Sequence, residues 1–200
     1  MAAEPLSIAR LNSRSGDFAA SLDALLRWDV SEDSEVLQTA REVIRQVRAD
    51  GDAAVAELTR RFDRMACESV ADLAMGPDEF RASFERIGEA EREALVTAAD
   101  RIRAYHEHQR AEDWTFTDNL GNRLGQRVTP LERVGIYVPG GQASYPSTVL
   151  MTAVPARVAG VGEIVMAVPT PDGVRNDLVL AAAHVADVDR GFCVGGAQAV

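Results

Sequence analysis

Residues 133–200 alternate apolar strand patterns with helix patterns, and that alternation constrains the fold more than any other feature of the chain. "RVGIYVP" reads as a strand, "PSTVLMTAVPARVAG" as a helix and "EIVMAVP" as a second, continuously apolar strand. "TPDGVRN" is a turn, "DLVLAAAHVA" a second helix and "RGFCVGG" a third strand. Strands that alternate with helices predict a parallel β-α-β-α-β unit, and continuous apolar runs predict strands buried on both faces. Pro155 lies inside the first of these helices and predicts a kink or short break there.

Upstream, from about Asp33 to Arg110, the texture is helical. Val36, Leu37, Ala40, Val43, Ile44 and Val47 recur at three- and four-residue steps, which places them on one helix face. "ADGD" at 49–52 breaks that pattern, with Gly51 as the residue just past the helix end and Asp52 as the next N-cap. Val55, Leu58 and Phe62 carry a second stripe, Phe80, Phe84 and Ile87 a third, and Leu95, Ala98, Ile102 and Tyr105 a fourth. "WTFTDNLGNRLGQRV" at 114–128 has the alternation and the central Gly/Asn turn of a hairpin. The chain therefore divides into a mainly helical part, 1–132, and an α/β part, 133–200.

Charge and composition exclude several functions. The formal charge of −10 argues against nucleic acid or an anionic membrane as partner. With no apolar run long enough to span a bilayer and no signal-like N-terminus, a cytoplasmic protein is expected. All 21 basic residues are arginine, so a Schiff-base lysine and a Walker-A lysine are both absent. Cys67 and Cys193 lack paired-thiol spacing and read as packing residues. His106 and His108 stand two apart, which on a helix points them away from a shared metal, and His184 sits alone in an apolar helix.

The first and third strands end alike, in "YVPGGQAS" and "CVGGAQAV". Ligands of open parallel sheets sit outside the carboxyl ends of the strands, where loops lead into helix N-termini. Glycine pairs allow unusual dihedrals and close approach of a ligand, and the amides that follow suit phosphate or carboxylate oxygens. Tyr137 offers a ring for a cofactor, while Gln142 and Gln198 offer amide donors and acceptors. The spacing matches neither G-x-G-x-x-G nor G-x-x-x-x-G-K-[ST], and the same glycines also suit tight turns demanded by helix-on-sheet packing.

"LGQRVTPLERVGIYVPGGQASYPSTVLMTAVPARVAGVGEIVMAVPTPDG", followed by "VGGAQAV", resembles the signature region of the L-histidinol dehydrogenase family. "VRADGDAAVAELTRRFD" at 47–63 and "RIRAYHEHQRAEDW" at 101–114 resemble it too, so the likeness runs from about residue 30 to Val200. It implies incomplete Rossmann-like domains of the aldehyde-dehydrogenase-like superfamily and an intertwined homodimer. It also implies NAD-dependent, zinc-requiring oxidation of L-histidinol to L-histidine through L-histidinal, the last step of histidine biosynthesis. The family positions that contact NAD match Tyr137 and Gln198, with Gly140, Gly141, Gly195 and Gly196 as lesser candidates.

Members of that family are about twice this length. Their zinc ligands, substrate-binding groups and Glu/His acid–base pair lie beyond the position matching Val200, so neither catalytic nor metal residues are expected in this chain. Hydride removal from an alcohol needs a base for the hydroxyl proton and a site that orients the carbinol carbon. These residues do not assemble that set, and the 200-residue chain alone is expected to be inactive. Two other readings follow from the same residues: a dehydrogenase of another small amino or sulfonated alcohol, or a stand-alone nucleotide-binding or interaction module. In the second case an unfinished parallel sheet would leave an edge and a face exposed.

Overall fold

The computed structural model describes residues 10–26, 30–140 and 144–200. Its contacts divide the chain into two compact units, 1–42 and 43–200. The first contains α1 (Phe18–Leu26), which buries none of its residues, and the start of α2 (Val30–Asp50). Expected core positions Val36, Leu37 and Ile44 on α2 are exposed, and Val43 alone of that stripe is buried. The stripe lies on one face of α2, but a regular period does not supply a surface to cover it.

The second unit runs α3 (Asp52–Asp63), β1 (Ala74–Met75), α4 (Pro77–Arg86), α5 (Glu89–Glu107), β2 (Trp114–Thr117), β3 (Arg123–Gln126), β4 (Arg133–Tyr137), α6 (Pro146–Val158), β5 (Glu163–Ala167), α7 (Asp177–Val185) and β6 (Arg190–Phe192). Gly51 ends α2 with a positive φ of 57°, its amide donating to the Val47 carbonyl at 2.8 Å. It also occupies the N-cap of α3, one residue before the expected Asp52, which instead places its charge in the first turn. Of the kink or short break expected at Pro155, the break is absent: α6 continues through it. The carbonyl that a residue at 155 would have bonded belongs to Met151, an exposed residue, so water can take the lost partner's place. Tyr105, expected to face inward, is exposed near the end of α5.

β4, β5 and β6 are parallel and adjacent in chain order, and β1 extends the sheet antiparallel beside β6. Right-handed crossovers that step the same way across a sheet put both helices on one face. α6 and α7 accordingly pack together there, with α4 against α7 and α5 against both. Side chains alternate along each strand. Ile136, Val138, Ile164, Met166 and Cys193 point into this helical layer and join Leu150, Val154, Leu180 and Phe80 in one core. Full burial of aliphatic or aromatic side chains of this kind stabilises by about 1.5–3 kcal/mol each.

Among the described residues of the second unit, no helix buries the opposite face. Gly135, Tyr137, Val165, Ala167 and Phe192 stand there half-buried or exposed, so the expectation of strands buried on both faces fails for this chain. The apolar composition that suggested two-sided burial is present, but α4, α5, α6 and α7 of this unit pack together on one side. The exposed face anticipated for an unfinished sheet is what the structure displays. At its lower end Glu163 accepts hydrogen bonds from Arg133 at 2.5 Å and from Arg190, bridging three strands. At the same end Arg157 of α6 donates to the carbonyls of Val161 and Gly162 at 3.0 Å and pairs with Asp189. These contacts lock the loops that enter the strands, away from the end where ligands bind in such sheets.

The hairpin expected over 114–128 forms as β2–β3; its register pairs Trp114 with Gln126 and Thr117 with Arg123, and all eight strand residues are exposed. No described helix is long and apolar enough to cross a membrane.

Candidate functional site

Three loops meet at the carboxyl end of the parallel strands: Val138–Gly140 after β4, Val168–Asn176 after β5 and Cys193–Gly196 after β6. Pro169 in the middle loop organises the other two. A Cβ on Gly140 would stand 2.9 Å from the Pro169 ring and carbonyl, and one on Gly195 would stand 2.5 Å from the Pro169 Cβ. Both distances are well inside the ordinary carbon contact of about 3.5–4.0 Å. Glycine is therefore required at 140 and 195 because each loop backbone lies directly on the proline. Gly196 has a different reason, a φ of 65° that other residues rarely adopt. The repeated Gly-Gly signature thus has a packing cause in both loops. Gly141, together with Gln142, lies outside the described residues.

Tyr137 and Gln198 come together. They line one hollow of about 250 Å³ on the open sheet face, with Ala167, Phe192 and Val194 as its floor. Tyr137 is 38% exposed, whereas Gln198 is 9% exposed within a short 3₁₀ turn, Ala197–Ala199. The Tyr137 hydroxyl accepts a hydrogen bond from the Gly196 amide at 3.2 Å, tying the first strand to the third loop. The amides expected to suit a ligand's oxygens are those that follow the glycine pair; the Gly196 amide within the pair is held by a side chain. Gly140 is placed elsewhere, on a cleft of about 640 Å³ between the loops after β4 and β5. Pro169 lines that cleft and lies against Gly195, while the hollow at Tyr137 and Gln198 has a separate set of lining residues.

The charges around the larger cleft are paired. Asp172 is clamped by Arg64 through two hydrogen bonds of 2.7 Å, and these hold its carboxyl below the usual range. Arg175 pairs with Glu79 of α4. Asn176 caps α7 by accepting from the Val179 amide at 3.2 Å. Cys193 is fully buried against Met75, and burial pushes its thiol up, opposed in part by Thr170 and Arg175. A protonated, enclosed thiol is a packing group and not a nucleophile. Cys67 is buried in the same core.

The histidines stand apart from these hollows. His106 bonds Gln109 at 2.6 Å near the end of α5, and His184 lies half-buried beside the Phe84 ring at 5.2 Å. Among the described residues no group of three or more His, Cys, Asp or Glu side chains is placed to hold a metal ion. The donor set of the described residues does not fit zinc. The hollow beside Tyr137 and Gln198 does fit part of a dinucleotide, since it offers an apolar floor, an aromatic ring and one amide side chain.

One polar residue escaped the sequence reading. Asp63, the last residue of α3, is 8% exposed, and its Oδ2 has no hydrogen-bond partner among the described residues. Burial raises its pKa, with Arg64 and the Gly195 amide acting in the opposite sense. In sequence it looks like an ordinary charged residue after an Arg-Arg-Phe run; only its position at the third loop distinguishes it.

Residues 27–200 match the model of the family "Histidinol dehydrogenase". The chain belongs to the histidinol dehydrogenase family. Among curated relatives, the histidinol dehydrogenase of Aromatoleum aromaticum is 54% identical over 200 residues, covering 100% of this chain and 46% of its own length. That of Burkholderia lata is 53% identical over 199 residues, covering 98% of this chain and 45% of its own. The chain thus spans less than half the length of these histidinol dehydrogenases. The crystal structure of histidinol dehydrogenase from Elizabethkingia anophelis superposes with a TM-score of 0.74 at 27% identity, over 82% of this chain and 37% of that one. The mixed α/β architecture with a parallel sheet is therefore that of a solved histidinol dehydrogenase.

Proposed function

We propose that the complete protein to which this chain belongs oxidises L-histidinol to L-histidine through L-histidinal, reducing two NAD, and that this chain carries part of the NAD site. The observation that supports this most is the convergence of Tyr137 and Gln198 on one hollow, in a chain of this family. NAD supplies a hydride acceptor when bound. Tyr137 presents its ring to the hollow while its hydroxyl holds the Gly196 amide, and Gln198 offers its side-chain amide to a polar edge of the cofactor. Ala167, Phe192 and Val194 exclude water beneath. Gly140 and Gly195 shape the loops around Pro169, Gly196 turns the third loop, and Gly141 stays a candidate of the first on sequence alone.

In this reading 133–200 is the dinucleotide-binding part, related to aldehyde-dehydrogenase-like domains, and 1–132 supports it. Zinc, the substrate pocket and the acid–base pair are assigned to residues outside this chain. A cytoplasmic homodimer acting on a small amino alcohol completes the proposal. The test is NADH formation by the zinc-loaded complete protein. L-histidinol should drive it rapidly, and a zinc-loaded protein that ignores histidinol would overturn the reading.

A further inference from the structure

Arg64 ends α3 in the left-handed region, with φ 52° and ψ 25°, where helices usually place glycine or asparagine. Asp172, in the loop after β5, is left-handed too, with φ 57° and ψ 19°. Among the described residues three non-glycine residues have a positive φ, and two of these bond each other across 108 positions of sequence. Arg64 Nε donates to Asp172 Oδ1 and Arg64 Nη2 donates to Oδ2, both at 2.7 Å. Two parallel bonds fix direction as well as distance, which the single ammonium of a lysine does not.

Fold stability does not account for this arrangement. The two side chains are 62% and 58% exposed, and exposed ion pairs add little to stability. Glycine would enter either left-handed position more easily. What the pair does is anchor a turn. At the start of the loop the buried Thr170 hydroxyl donates to the sulfur of Met65, the residue after Arg64, at 3.3 Å. At its end Arg175 pairs with Glu79, and Asn176 caps α7. Between these anchors the chain reverses, with the Gly173 and Val174 amides donating to the Thr170 and Pro171 carbonyls at 2.9 and 3.1 Å. Arg64 holds the middle of that reversal.

Asp172 lines the cleft of about 640 Å³ that Pro139 and Gly140 also line, whereas Arg64 does not. Gly140 follows Tyr137 by three residues, a span of at most about 11 Å, so one dinucleotide seated at Tyr137 reaches this cleft. We propose that Arg64 is a positioning residue: its two-pronged hold on Asp172 keeps the loop after β5 in the shape that walls the cleft for the part of the dinucleotide passing Gly140. The inference rests on the proposed NAD site.

The test compares Arg64→Gly, Arg64→Lys, Asp172→Gly and the double glycine variant in the complete protein. Glycine suits both left-handed positions, so Arg64→Gly should melt within about 2 °C of wild type. It should raise KM for NAD about fivefold, with kcat and KM for histidinol within about twofold. Arg64→Lys should fall within about twofold of Arg64→Gly, because it keeps the charge and loses the fork. Beside Asp172→Gly, Arg64→Gly should add less than about 1.5-fold, since its partner is already gone. An unchanged KM for NAD in Arg64→Gly would overturn the proposal. So would a lysine variant with wild-type KM, or an Arg64→Gly effect that persists in full beside Asp172→Gly. If wild type forms no NADH from histidinol, the functional reading fails separately. The hold on the loop is then decided by hydrogen exchange of the Gly173 and Val174 amides. Faster exchange in Arg64→Gly than in wild type supports it, and equal exchange contradicts it.

Discussion

Replacing Gly195 with alanine tests whether the glycine loops are shaped by contact with Pro169. The added Cβ would meet the Pro169 Cβ at 2.5 Å, Cγ at 3.1 Å and Cα at 3.4 Å. Only the last is an ordinary contact, so the loop and the proline must separate by about 1 Å. Neither side is soft: proline has a fixed ring, and Cys193 just before the loop is fully buried. Overpacking of this kind costs about 1–3 kcal/mol. The shift is about 2–4 °C per kcal/mol for 150–250 residues and about half that for a protein twice as long, so the complete protein should melt a few degrees lower, as followed by calorimetry or circular dichroism. NAD should bind more weakly as well, because the displaced loop carries Gly196 and its bond to Tyr137. The partner is identified by a double-mutant cycle with Pro169→Gly. That change removes the Cβ and the ring and leaves the Cα at 3.4 Å. It costs about 1 kcal/mol through backbone entropy, but in its background Gly195→Ala should lose at least half of its penalty. Equal penalties in both backgrounds, or none in either, would refute the steric argument.

Tyr137→Ala should weaken NAD binding in the complete protein by about tenfold, with zinc content unchanged, as read by titration and metal analysis. Unaltered NAD affinity would remove Tyr137 from the site. Acid sensitivity has a named source in Glu163, whose pKa is lowered by hydrogen bonds from Arg190 first and Arg133 second. A depressed carboxylate contributes stability above its unfolded pKa, and loses it as pH falls through the folded value. Glu163→Gln should therefore flatten the acid side of a plot of melting temperature against pH, with little effect near neutrality beyond a uniform offset. An unchanged acid limb would show that this bridge contributes nothing.

The strands and helices of 133–200 were legible because each repeats a strong local signal, and the hairpin because Gly and Asn mark its turn. The open face of the sheet was not legible from periodicity. Val165, Ala167 and Phe192 are as apolar as residues under a helix, and only the topology shows that both crossovers lie on the other side. The same blindness affects Val36 and Leu37, whose helical spacing is regular although they are exposed. At the candidate site, the glycine pairs announced themselves but their cause did not. Pro169 lies 29 residues from Gly140 and 26 from Gly195, so the contact that requires them is tertiary. Asp63 was hidden for the same reason. Its burial at the end of α3 is a tertiary property, and a lone aspartate carries no local pattern.

The measurement that bears most directly on the central claim is the number of NADH formed per L-histidinol consumed by the complete, zinc-loaded protein at limiting substrate. Two NADH with L-histidine as the product are expected from successive oxidations at one site. One NADH with release of the aldehyde, or no histidinol-dependent reduction at all, would contradict the account.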